Sequence, residues 1–251
     1  MILLQSPYSL YKKYIACRYR ILAASLLVSA LICYIISFMW VFFYAPDDAT
    51  QGSLVKIMYI HVPSAWVAML SYVVMGIAAI IFLSYKNPFF DAIAYTANIV
   101  SWHATSTAII TGSIWGKAAW GTWWAWDARL TSMLMQWMML LICMMLRQGR
   151  RGNQTSCIFA VVGLINIPII KFSVNAWATL HQPSSIMSKN GMAIDSSMLY
   201  PLLFSFFSMI IFYKGSSILI LQRRLEFMQR SNRQNYSGQN YRASSGGGSR
   251  I

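Results

Sequence analysis

The amino-acid sequence predicts an all-α integral membrane protein with six transmembrane helices and both termini on the cytoplasmic side. Three observations carry that prediction. Only 10% of the 251 residues are charged, against about 25% in soluble domains. Apolar stretches with little or no charge recur at lengths near the ~20 residues that cross a bilayer. Basic residues gather in alternate loops, as the positive-inside rule requires. The net charge of +14 therefore reads as topology and not as a nucleic-acid surface.

The first span covers residues 21–44, follows Lys12, Lys13, Arg18 and Arg20, and lacks a small-residue cleavage site, so it reads as a retained helix and not a signal peptide. The second runs from about 62 to 85 and the third from about 92 to 114. The fourth, 130–146, is short, and Arg129 and Arg147 can snorkel at its ends. The fifth starts near Ser156 and passes Ile170; the sixth covers about 198–221, with Lys214 in its last part. Pro168 and Pro201 lie within or near spans, where membrane helices tolerate them. The six-helix domain is residues 1–221, and the basic remainder, 222–251, reads as a disordered cytoplasmic tail ending in a Ser/Gly linker.

Six crossings divide the charges unevenly. One side holds fifteen lysines and arginines with Asp91 and Glu226; the other holds Lys56, Lys117, Arg129, Lys171 and Lys189 with four aspartates. The Lys/Arg excess places both termini in the cytoplasm or its organellar equivalent. None of Cys17, Cys33, Cys143 and Cys157 falls in an outer segment, which argues against a disulfide framework. No C-x-x-C-H occurs, so the chain does not bind a c-type haem covalently to itself.

Three outer segments, about 45–61, 115–129 and 172–197, concentrate the unusual residues. Five of the ten tryptophans, Trp115, Trp120, Trp123, Trp124 and Trp126, lie in the second. Trp120, Trp123, Trp124 and Asp127 are spaced i, i+3, i+4 and i+7, and on a helix they share one face. An interfacial aromatic belt is the plainer reading, but a belt spreads over several helix ends, whereas this shelf is local and flat enough for a planar porphyrin. His61 and His181 lie at the same outer face, and two neutral imidazoles can fill the axial positions of haem iron. Zinc would want three or four ligands, and the methionines of the fourth span are packing residues before they are copper ligands. Arg129 and Lys56 are candidates for the haem propionates, with Lys117 a third; the alternatives for Arg129 are an interfacial anchor or a partner for Asp127. His103, beside Trp102 in mid-span, reads as a structural polar residue paired with a neighbouring helix.

These residues carry a resemblance. The string WGTWWAWDAR at 120–129, Tyr-Ile-His-Val-Pro at 59–63, Thr-Leu-His-Gln at 179–182 and the stretch 166–175 resemble the cytochrome c maturation protein C family, WWD-domain haem-handling membrane proteins of the system I pathway. The likeness is strong over about 43–182. It implies that haem b is held transiently and non-covalently between His61 and His181, against the WWD segment, with Lys56 and Arg129 near the propionates. It implies delivery to a haem chaperone, cytochrome c maturation protein E, and release by an ABC-type complex of A, B and D subunits. It implies a bacterial inner membrane or, alternatively, a mitochondrial one, and a platform without conventional catalysis. Asp127 is expected to orient the WWD segment by hydrogen bonds. A solute pore, a b-type electron carrier and a structural subunit are the competing readings. The first lacks polar residues along several spans, the second wants histidines inside the bundle, and the third leaves the tryptophan cluster unexplained.

Overall fold

The computed structural model describes residues 7–147, 152–177, 179–181 and 194–245. Arg150, Arg151, Gln182, Lys189 and the end of the tail from 246, including most of the expected linker, lie outside the described residues. The described chain is helical: α1 (Pro7–Phe43), a 3-10 turn (Ser53–Ile57), α2 (Met58–Tyr85), α3 (Pro88–Trp120), α4 (Ala128–Leu146), α5 (Gly152–Gly163), α6 (Asn166–Ala176) and α7 (Ser196–Ser245).

Among the described residues, five stretches are long and apolar enough to cross a membrane: Ala16–Phe43, Ser53–Tyr85, Ala128–Leu146, Gly152–Val174 and Ser196–Arg230. Helix α3 has the length but falls short in apolarity, because one of its faces carries Asn98, Ser101 and Thr105, all buried. The fifth stretch of the sequence prediction is a broken span. Pro168 has no N–H to continue the ladder and its ring would crowd the carbonyl of Leu164, so the helix interrupts between α5 and α6. Asn166 at the break is buried and donates from Nδ2 to the Ser132 carbonyl of α4 at 2.9 Å.

Local chemistry sets the turns. Lys86 ends α2 in the left-handed region (φ 55°) and its N–H reaches the Phe82 carbonyl. Asn87 then caps α3 by accepting from the Phe89 N–H at 3.0 Å, with Pro88 at the first helical position. Helices α2 and α3 consequently form an antiparallel hairpin. Tyr72, Met75 and Ala79 of α2 pack with Ala94 and Ala97 of α3, Leu140 and Cys143 of α4, and Cys157 and Ala160 of α5. Helix α7 seals the other flank through Met209, against Val67, Ala68, Val100 and Ala104. Helix α1 lies on the outside, antiparallel to α7, joined by Ser37–Ser205 at 2.7 Å and by Arg20–Glu226 at 3.1 Å. Its exposed Ile32, Ile35, Ile36 and Phe38 present an apolar face, as expected beside lipid.

Two expectations need correction. Helix α7 does not stop near residue 221 but runs to Ser245, so the expected disordered tail is helical over most of its length. Arg223, Arg224, Leu225, Glu226 and Met228 are good helix formers, and Arg224 is tied down by Asp91 and Asn153. His103 is not paired with a neighbouring helix: its side chain faces outward, and its described ring contact is with adjacent Trp102 at 5.2 Å. It sits two residues, about 200° of helical turn, from Ser101, and so opposite the buried polar face.

Gly163 is where α5 passes closest to α2. A Cβ there would overlap the Tyr72 hydroxyl and press on Met139, and Tyr72 is fully buried. Gly163→Ala should therefore destabilise the detergent-purified protein by about 1–3 kcal/mol through overpacking, read as a lower thermal midpoint. An unchanged midpoint would mean that the two helices separate freely.

Candidate functional site

The hairpin and the caps bring His61, Trp115, Trp120, Asp127, Arg129 and His181 to one end of the bundle. Helix α2 presents His61 at the end of its first turn, against α3. A Cβ on Gly112 would strike the His61 ring at Cε1, 2.8 Å away, so the bare glycine is what lets the imidazole lie on α3. His61 Nδ1 lies 2.9 Å from the Ala108 carbonyl oxygen and 3.3 Å from Thr111 Oγ1. A carbonyl only accepts, so Nδ1 carries the proton and Nε2 keeps its lone pair. Trp115 stands edge-on to the same ring at 5.8 Å and is held by its Nε1 donating to Gln51 Oε1 at 2.7 Å.

His181 is built differently. It follows α6 on a non-helical segment, and its Nδ1 lies 3.2 Å from Asp127 Oδ2. Thr179 donates to the same oxygen and accepts from the His181 backbone N–H at 3.1 Å. Asp127 Oδ1 meanwhile accepts from the Leu130 N–H at 2.8 Å and caps α4, a contact worth about 1 kcal/mol. One carboxylate thus starts a helix and orients an imidazole. Trp120 stands edge-on to His181 at 5.0 Å.

The electrostatics of this second arm follow from its geometry. Burial works against ionisation of Asp127, but the hydrogen bonds from Leu130, Thr179 and His181 outweigh it and hold the carboxyl below its ordinary value. Burial also disfavours the imidazolium of His181 and prevails over the Asp127 hydrogen bond, so its pKa lies below the usual histidine value. The contact is therefore a hydrogen bond from a neutral ring and not a salt bridge, and His181 Nε2 has no hydrogen-bond partner among the described residues. Arg129 lies within electrostatic reach of His61, His181 and Asp127. It forms no ion pair among the described residues, and its Nε–H is buried without an acceptor.

The tryptophans do not form the single helical face that their spacing allows. Helix α3 continues through Trp120 and stops at Gly121 (φ 76°), whose N–H bonds the Lys117 carbonyl. Residues 121–127 are non-helical. Trp115 and Trp120 serve the two histidines. Trp124 and Trp126 pack on each other at 5.7 Å, while Trp123 and Trp126 are 59% and 79% exposed, leaving an aromatic surface open at this end. Lys117 is turned to the Gly121 carbonyl at 2.9 Å. Lys56, in the 3-10 turn before α2, already meets Asp47 at 3.4 Å and the Phe42 carbonyl at 3.2 Å. Sequence reasoning missed Gln51, Gly112 and Thr179. Gly112, inside an apolar helical run, and Thr179, two residues before a histidine, were visible signals; the Ala108 carbonyl has none.

This end of the bundle defines a class: a helical multi-pass membrane protein presenting two imidazoles, each anchored through Nδ1, beside an exposed tryptophan-rich loop. The family model described as Heme exporter protein C matches residues 6–237, and the chain belongs to that family. It is 47% identical over 163 residues to Heme exporter protein C of Bradyrhizobium diazoefficiens, covering 63% of this chain and 62% of the relative. It is 44% identical to a ccmC-like mitochondrial protein of Marchantia polymorpha, named for cytochrome c biosynthesis, over 74% of this chain and 79% of the relative. It is 32% identical to Heme exporter protein C of Escherichia coli K12, over 82% and 84% respectively.

Both lowered pKa values give the same pH trend. His181 contributes stability in full above the ordinary histidine value, and that contribution is lost as pH falls below it. Asp127 contributes above the ordinary carboxylate value and loses its contribution as pH falls through its lowered one. An NMR titration should find His181 titrating below the ordinary histidine value, and Asp127→Asn should lower it further, because the charge favouring imidazolium is gone. A rise on that substitution would contradict the geometry.

Proposed function

We propose that this protein handles haem for cytochrome c biogenesis, holding haem b transiently and non-covalently at the outer face of a membrane for transfer to a chaperone. The observation that carries this reading is the matched pair of imidazoles: in both, Nδ1 is occupied by an oxygen acceptor, and Nε2 has no partner among the described residues. An axial haem ligand needs that tautomer, and an outer hydrogen bond that raises its basicity. Haem is cargo here, and its iron supplies two axial positions for His61 and His181. Trp115 and Trp120 brace the rings, and the Trp123–Trp126 surface covers an edge of the porphyrin and excludes water. The buried, acceptor-free Nε–H of Arg129 suits a propionate carboxylate. Lys56 serves a second propionate by exchanging Asp47, which is 55% exposed, for the cargo carboxylate.

Delivery to cytochrome c maturation protein E, with A, B and D subunits of an ABC-type complex, is the partnership this reading extends to. The relatives' names support haem export and cytochrome c biosynthesis, and the open edge of the tryptophan loop leaves room for a partner to reach the cargo. The chain acts as a platform and not a conventional enzyme. The Lys/Arg excess favours cytoplasmic termini and an outer WWD segment, in a bacterial inner membrane, with a mitochondrial inner membrane as the alternative. A Thr122→Cys variant without the native cysteines should react in intact cells with a membrane-impermeant maleimide; protection until lysis would invert the topology.

The absorption spectrum tests the platform itself. The wild type, purified or reconstituted with haem, should show a low-spin bis-imidazole Soret band. His61→Ala and His181→Ala should each lose or shift it, and Arg129→Ala should keep the low-spin form while retaining haem about tenfold less well. Unaltered spectra in both histidine variants would remove the ligand roles; unchanged retention in Arg129→Ala across ionic strengths would remove the propionate contact.

A further inference from the structure

The far end of the bundle carries a second charged cluster. Asp91, fully buried at the start of α3, accepts from Arg147 of α4 at Oδ1 and from Arg224 of α7 at Oδ2, the latter at 3.3 Å. The same Arg224 nitrogen reaches Asn153 Oδ1 at 3.3 Å. Both guanidinium groups lie over the Tyr95 ring, at 5.4 Å for Arg147 and 4.6 Å for Arg224. Lys86 adds a further positive charge within electrostatic reach of neighbouring Cys157. Glu226, the nearest other acid on α7, is already paired with Arg20.

Two arginines therefore share one carboxylate, which leaves the pair with one positive charge in excess, and Lys86 adds a further one among the described residues. Among the described residues, the Nε–H groups of Arg147 and Arg224 are buried with no acceptor, and the two side chains are only 6% and 15% exposed. A buried donor without a partner is costly, and a charged one more so. Both arginines line a cavity of about 420 Å³ whose other walls include Phe82, Phe227 and Met228. Asp91 and Asn153 join the two arginines in its polar lining, and Pro88 completes the apolar part. The cavity sits where the apolar parts of α2, α4 and α7 end, which is the depth of lipid headgroups.

We propose that this cavity binds the phosphodiester of an anionic membrane lipid. A phosphodiester carries one negative charge, matching the one that the arginine pair has in excess of Asp91. Its oxygens accept the two vacant Nε–H groups, for which arginine geometry is well suited. The apolar wall takes the glycerol and the first methylenes. The bound headgroup bridges α4 and α7, holding the basic end of the bundle at the membrane surface. None of this depends on the haem site, which lies at the other end of the helices.

The test is native mass spectrometry of the full chain released from detergent, with dioleoyl phosphatidylglycerol and dioleoyl phosphatidylcholine as competing probes. Phosphatidylglycerol should be retained preferentially at one copy per chain. Arg224→Gln should weaken that retention by about tenfold or more. Met228→Glu, which sets a carboxylate in the cavity without touching the Asp91 pairs, should do the same, each variant first qualified by circular dichroism and monodisperse elution. Equal retention of the two lipids, or of phosphatidylglycerol by wild type and both variants, overturns the proposal. Protection of the thermal midpoint by inorganic phosphate but not by phosphatidylglycerol keeps the phosphate chemistry and overturns the lipid source. Displacement of the lipid by stoichiometric haemin would make the cavity a propionate site and overturn it as well.

Discussion

The hydroxyls on the buried face of helix α3 bond to the helices on either side, and much of the structure depends on those bonds, while Asn98 on the same face is buried without a partner among the described residues. Ser101 donates to the Ala68 carbonyl of α2 at 2.8 Å, and Thr105 donates to the Ser101 carbonyl while accepting from Gln136 of α4 at 3.1 Å. Trp137 of α4 donates to Ser106 at 2.8 Å. Away from water such groups have no other partners. Each interhelical bond contributes only about 0.6 kcal/mol on average, but together they fix the register of α3 between α2 and α4. Ala108, Thr111, Gly112 and Trp115 follow on the same helix, so that register also places the seat of His61.

The two arms of the site then differ in what supports them. The His61 arm is helix against helix. The His181 arm hangs on Asp127, which is fixed because it begins α4, which in turn is registered on α3 through Gln136 and Trp137. A polar stripe that weakens α3 as a membrane span by hydropathy is thus what aligns the two histidines. The Asp91 cluster does comparable work at the other end, drawing α3, α4 and α7 together.

Most of this architecture can be read from composition. Apolar length locates five of the six expected spans, because it is an average over many residues and survives local exceptions. His61, His181 and Asp127 stand out because histidine and acid are rare here and a tryptophan string surrounds one of them. What escapes is set by single backbone atoms or by neighbours distant in sequence. The spacing of Trp120, Trp123 and Trp124 suits a helix, yet Gly121 in a left-handed turn cancels it. His103 looks like a residue in need of a partner, and only the phase of α3 shows that it faces away from the buried stripe. The helical continuation of α7 rests partly on Arg224 finding Asp91, a contact across 133 residues.

The two imidazoles rest on unlike supports. His61 leans on a peptide carbonyl in mid-helix, which has neither a charge to lose nor a rotamer to change. His181 leans on a carboxylate, beside a threonine, on a stretch of chain outside any helix. On the haem-handling function proposed above, the pair would work as a vice with one jaw fixed to the frame and the other held by side chains of a loop. The load would come free when the second jaw backed off, while the fixed jaw stayed aligned. Such a device is reset by a local adjustment at its rim, and the membrane-embedded helices need not move between one load and the next.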